Sequence, residues 1–187
     1  MKFTVLSIFL CLLAAPVISP AQKAITRFST GEEELMAWSP TRKLNWNDYK
    51  ASPNPESDAA ASTTTILGID YNISSTSFSF KIQSLFSKTR SWGLHKTNYI
   101  LSHEQGHFDI AEVYARMLNK EMSEYRFNKK TFQKDLQKIY EKVTKEKEET
   151  QNSYDKETRH SINREKQAEW LKRIEEMLEE YSDYADY

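Results

Sequence analysis

The chain has 187 residues, 39% hydrophobic and 28% charged, with a formal net charge of −1. That length suits one domain with its own core. The near-neutral balance excludes a strongly basic, phosphate-binding surface, so nucleic acid is not an expected partner.

The first residues differ from the rest. Lys2 supplies a positive start, residues 3–15 are almost continuously apolar, and Ser19-Pro20-Ala21 offers small residues where a signal peptidase reads. The apolar run is short for a membrane span. Residues 1–21 are therefore expected to be a signal peptide cleaved after Ala21. Residues 22–187 are then a single exported domain, periplasmic or secreted, with no stable membrane span after cleavage. Cys11, the only cysteine, lies inside this leader. The mature domain would have no disulfide, no thiol nucleophile and no cysteine-based metal site.

All five prolines fall within the first 55 residues. Residues 22–60 read as irregular chain around Leu44, Trp46 and Tyr49, with a break at Ser52-Pro53-Asn54-Pro55. From Ser62 to Phe86 the texture changes. Ile69, Tyr71 and Ile73 alternate with polar neighbours, residues 74–77 offer a turn, and Phe78, Phe80 and Ile82 alternate again. The pattern predicts two antiparallel strands joined by a short loop.

From Asn98 onward there is no proline and one glycine, Gly106. The period becomes helical, with Ile100, Phe108, Ala111, Ala115, Leu118 and Met122 on a broad apolar face. A second helix is expected over residues 130–149, with Phe132, Leu136, Ile139, Tyr140 and Val143 as its stripe. A third is expected over residues 163–181, around Trp170, Ile174, Met177 and Leu178. Residues 151–162 read as a polar connector. Strands followed by helices predict an α+β fold. Trp46, Trp92 and Trp170 are expected to be core anchors. The acidic tail of residues 175–187 is expected to be a frayed helix end.

His103-Glu104-Gln105-Gly106-His107 is an HExxH sequence on the first helix. Two histidines four apart project from nearly one face, so both imidazoles can reach one ion. Zinc in such a place lowers the pKa of a bound water to about 7 and polarises a carbonyl. Glu104, beside the first histidine, would act as the catalytic general base and take the proton of that water. The plain alternative is a helix with two ordinary histidines.

A catalytic zinc commonly has three protein ligands. At about 100° per residue, Asp109 and Glu112 turn away from His107 and are expected to fasten the helix instead. The third ligand must come from elsewhere. His160 is the preferred candidate, with Asp155 and Glu157 as fallbacks. His95 is a candidate for binding substrate, or is structural. Tyr154, Arg159 and His95 are open candidates for stabilising an oxyanion.

These residues resemble a family of exported bacterial proteins known as domain of unknown function 922, described as zinc-dependent proteases with a zincin-like active-site helix. The matching pieces span most of the mature chain. They are Leu44-Asn45-Trp46-Asn47-Asp48-Tyr49, Ser91-Trp92 and the stretch from His103 to Glu112. They continue with Tyr154-Asp155-Lys156-Glu157-Thr158-Arg159-His160, followed by Gln167 and Trp170. The family pattern commonly has glycine after that histidine, where this chain has Ser161. The resemblance implies zinc and supports His160 as a ligand together with His103 and His107. It supplies no substrate.

The expected function is an exported zinc-dependent metallopeptidase acting on a peptide or protein. The competing expectations are a non-catalytic zinc-stabilised module and a metal-free interaction protein of the envelope.

Overall fold

The long alternating segments of the N-terminal half pair as the pattern predicts. In the computed structural model, which describes residues 33–74 and 78–187, strand β3 (Thr65–Ile73) runs antiparallel to β4 (Phe78–Ser87). The register places Thr65 opposite Phe86 and Ile73 opposite Phe78. The expected leader, residues 1–21, lies outside the described residues, as do Ser75, Thr76 and Ser77 of the expected turn.

Three short strands add to this pair. β1 (Leu35–Ala37) lies along the other edge of β4, giving the order β1-β4-β3. β2 (Ala61–Ser62) pairs separately with β5 (Trp92–Gly93). Between β1 and β2, Asn45 and Asp48 close a reciprocal capping box around a single helical turn, Trp46–Asp48. Trp46 of that turn packs so tightly on Gly93 that a Cβ there would lie 2.6 Å from the ring.

Helix α1 (Asn98–Glu124) is started by Thr97, whose side chain accepts the Ile100 amide hydrogen. It is the centre of the molecule. Ile110, Tyr114, Leu118 and Met122 pack with Leu67, Ile69 and Ile82 of the sheet and with Leu136, Val143, Trp170 and Ile174 of the later helices. Phe108 turns the other way, into a smaller cluster with Leu44, Tyr49 and Phe86. Buried residues therefore occur on nearly every side of α1, as expected of a helix with neighbours all round.

Helix α2 runs from Phe132 to Thr158, nine residues beyond the expected end, and takes in most of the expected polar connector. The reason is visible in its buried residues. Val143, Lys147, Tyr154 and Thr158 recur at helical spacing and keep one stripe against α1. The segment between them contains no proline or glycine to stop the helix. Only residues 159–163 remain as a connector. Helix α3 (Arg164–Glu180) begins at Asn163, whose side chain accepts the Lys166 amide hydrogen.

The acidic tail is docked, not frayed. Asn119 donates to the carbonyls of Tyr184 and Asp186, and the Tyr187 hydroxyl donates to Glu112 Oε2 at 2.5 Å. Buried polar groups on α1 hold it, a signal that the repeating tyrosines hint at but cannot specify.

One contact fixes how α2 meets α1. The Tyr154 ring lies over Gly106, where a Cβ would come within 2.5 Å of its oxygen and 2.9 Å of its Cζ. The Tyr154 hydroxyl donates to the His103 carbonyl at 3.2 Å. An alanine inside a helix is ordinarily worth about 1 kcal/mol over glycine. Here the sign reverses. Gly106→Ala is expected to destabilise the fold by about 1–3 kcal/mol through overpacking, read from the urea midpoint at unchanged slope. A stabilised variant would refute the contact.

Candidate metal centre

Two helices and one turn build the site. α1 presents His103 and His107, four residues and about one turn apart. The ring planes stand 88° to each other with centroids 4.9 Å apart. α2 presents Asp155 and, one turn earlier, Gln151. The turn after α2 presents His160.

Asp155 Oδ1 is the point of convergence. It lies 3.1 Å from His103 Nε2, 3.1 Å from His107 Nε2 and 3.3 Å from His160 Nδ1. A tetrahedral ion with bonds of ~2.0–2.1 Å has ligand-to-ligand edges of about 3.3–3.4 Å, so these separations suit donors sharing one ion. Among the described residues, His103, His107 and Asp155 form the group whose ligand atoms all lie within 4.8 Å of one another and could hold a metal ion. Two imidazoles and one carboxylate are also a donor set found at three-ligand metal sites.

Each histidine is oriented from behind. The His103 ring stacks on Tyr154, with centroids 4.4 Å apart and planes 20° from parallel. His107 Nδ1 is hydrogen-bonded to Gln151 Oε1, and Gln151 Nε2 donates to the His107 carbonyl at 2.8 Å. If Nδ1 carries the proton, Nε2 is left with its lone pair toward Asp155. Such partners set which nitrogen faces a metal.

The electrostatics follow from burial and from Asp155. Burial pushes the His103 pKa down, and the hydrogen bond to Asp155 only partly offsets this. Burial also opposes the charge on His107, but there the hydrogen bond and charge of Asp155 prevail and its pKa is raised. Burial would raise the Asp155 pKa, yet the two imidazoles hold its carboxyl well below the usual carboxylate range.

Glu104 is 4% exposed, and its Oε2 is buried with no hydrogen-bond partner among the described residues. An unpaired buried carboxylate oxygen is costly. It lines a cleft of about 520 Å³ together with His103, His107, Asp155 and His160. The opposite wall is the small-residue segment 59–65. Glu104 thus lines the cleft beside the possible ion site, with its Oε2 buried and unpaired.

The other candidates take separate places. His160 has a side chain 63% exposed and stands beside the His–His–Asp group, touching Asp155. Glu157 accepts from Trp170 Nε1 at 2.9 Å and faces away. His95 is exposed on the loop before α1 and does not line the cleft, and neither do Tyr154 and Arg159. Asp109 accepts from Trp38 Nε1 and Gln105 Nε2, while Glu112 pairs with Arg116, so both fasten α1 as their helical angles predict. Sequence reasoning missed Gln151. Its spacing of four from Asp155 was the available signal, hidden while residues 151–162 read as a connector.

The structure therefore describes an α+β protein with a His–His–Asp group able to hold a metal ion. The chain belongs to the family described as "Bacterial protein of unknown function (DUF922)", matched over residues 32–161. No curated protein and no solved structure matches it.

The turn that carries His160 is unusual. Arg159, His160 and Ser161 have φ of 53°, 52° and 71°, three successive non-glycine residues in the left-handed region. The bond from the His160 amide to the Asp155 carbonyl (2.9 Å) and that from the Asn163 amide to the Thr158 carbonyl (2.7 Å) hold them there. The left-handed conformation costs a side-chain-bearing residue roughly 1–2 kcal/mol, which glycine avoids. Ser161→Gly is expected to raise stability by up to about 1 kcal/mol, seen as a higher thermal midpoint; a lower one would contradict this backbone geometry.

In metal-free protein, His103 and His107 should titrate apart. His103 is expected to protonate below the ordinary histidine value of 6.5 and His107 above it. Asp155→Asn should bring His107 down, because it removes the charge that raises it. Imidazole chemical shifts followed against pH read both residues directly, and a reversed order would refute the assignment.

Proposed function

We propose that this protein is a zinc-dependent peptidase, exported under the direction of residues 1–21 and acting outside the cytoplasm. The observation that carries the reading is Glu104, whose unpartnered carboxylate oxygen lies buried in an open cleft beside His103, His107 and Asp155. A helix that only supported the fold would not retain an unpaired buried carboxylate there.

His103, His107 and Asp155 would hold the zinc, which when bound supplies Lewis-acid polarisation and a lowered pKa for water. Gln151 keeps the His107 ring in orientation. The Glu104 carboxylate would take the proton of the attacking water and deliver it to the leaving amine. Tyr154 is committed to the His103 carbonyl behind the site. His160 holds Asp155 in place from the cleft side and is available to an incoming carbonyl. The segment 59–65 offers an extended wall of small residues against which a peptide can lie.

The test pairs metal content with hydrolysis. Glu104→Gln should keep zinc near one per chain and lower hydrolysis of a fluorogenic peptide mixture by about 10²–10⁴-fold. Asp155→Ala should lose the zinc. His160→Ala should keep it with roughly 10–100-fold weaker affinity, as for residues that orient a ligand. Full hydrolysis by Glu104→Gln would end the peptidase reading.

The proximity of His160 Nδ1 to Asp155 Oδ1 favours one alternative. With His160 as a fourth ligand, the site would be closed and the protein a zinc-stabilised, non-catalytic module. In that case His160→Ala would lose both zinc and thermal stability, and Glu104→Gln would change neither.

A further inference from the structure

The α2 wall of the cleft carries a charged group that the metal-binding residues leave unused. Lys147 lies two turns before Asp155 on the stripe that also presents Gln151, and all three line the cleft. It is 6% exposed. Its one ion pair among the described residues is with Oε1 of the adjacent Glu148, at 3.0 Å, and that carboxylate's side chain is 64% exposed. Lys147 and Glu148 both line the cleft, so this ion pair sits at the cleft wall. A cation so deeply buried, with only a solvated partner, is costly to keep. Lys147 is also the one lysine or arginine among the residues lining the cleft, whose other charged walls are Glu104, Glu148 and Asp155.

Spacing converts this into a position. Eight residues of helix separate Lys147 from Asp155, about 12 Å at 1.5 Å per residue. An extended peptide advances ~3.3 Å per residue, so the two groups are three to four residues apart along a bound chain.

We propose that Lys147 is a carboxylate-binding subsite at the far end of this cleft. It selects peptides that carry a negative carboxylate three or four residues from the segment lying over His103, His107 and Asp155. The carboxylate is either an aspartate or glutamate side chain or the free C-terminus of a short peptide. The inference rests on the peptidase reading for the identity of the ligand as a peptide, but it concerns binding and not hydrolysis.

The test uses the Glu104→Gln protein loaded with zinc and four fluorescein-labelled hexapeptides of alanine and serine. One carries aspartate at its fifth position with an amidated end, one asparagine there with an amidated end, one a free C-terminus, and one is neutral throughout. Fluorescence anisotropy is expected to show about tenfold tighter binding of one or both charged peptides than of their neutral partners. The charged peptide that gains identifies the source of the carboxylate. Lys147→Met, which keeps the buried stem, should abolish the difference at unchanged zinc content and thermal midpoint, and Lys147→Arg should retain it. Equal affinities in the Lys147 protein, a difference that persists in Lys147→Met, or no binding of any of the four overturns the subsite. Charge-dependent binding with no hydrolysis by wild-type protein would sink the peptidase reading alone. Hydrolysis that depends on Glu104 with charge-independent binding would sink only the subsite.

Discussion

The packing of Tyr154 on Gly106 decides the geometry of everything around it. The missing Cβ lets the tyrosine ring approach α1 closely enough to stack on His103 and donate to that residue's own carbonyl. Because Asp155 is the next residue on α2, the same contact sets its carboxylate against both imidazoles. Gln151, one turn back, then meets His107. A helix–helix contact at a glycine thus converts two histidines on one helix into a three-residue group shared by two. The Trp170 ring packs on Tyr154 at a tilt of 57°, with centroids 5.6 Å apart.

Helix α1 carries an unusual number of buried polar residues, and their partners sort them by role. Asp109 ties down Trp38 from the N-terminal segment, and Gln105 accepts the Leu44 amide hydrogen. On the same side of the helix Glu112 and Arg116 form a buried pair, Arg116 lies over the Trp38 ring, and it also donates to the Leu178 carbonyl. Each of these groups is satisfied inside the protein, as buried polar groups in native structures generally are. Glu104 Oε2, His103 Nδ1 and the Tyr99 hydroxyl are the exceptions among the described residues of this helix. Of these residues, His103 and Glu104 line the cleft where a molecule can enter.

The turn at Arg159, His160 and Ser161 shows a local conflict tolerated at the same place. Three left-handed residues are an unfavourable way to leave a helix when none is glycine. They reverse the chain within five residues and leave His160 directly over Asp155. Strain of this kind, adjoining the His–His–Asp group, is consistent with a position kept for what it places near Asp155.

The HExxH spacing by itself determined that His103 and His107 share a helix face and that Glu104 stands beside them, because helical geometry is local. The same is true of the paired strands and of Asp109 and Glu112 turning outward. Apolar periodicity also announced the three helices. It missed the last nine residues of α2, since a stripe formed by Lys147, Gln151, Tyr154 and Asp155 is mostly polar and becomes legible only when the surface it faces is known. For the same reason the sequence pointed to His160 as the third member, with Asp155 and Glu157 as fallbacks, whereas the group that could hold a metal ion is completed by Asp155. Residues 48 to 57 positions away in the chain are brought near His103 only by the packing of two helices, and that packing turns on an absent methyl group at Gly106. The docking of Tyr187 on Glu112 likewise depends on a pocket between elements distant in sequence, which no local pattern encodes.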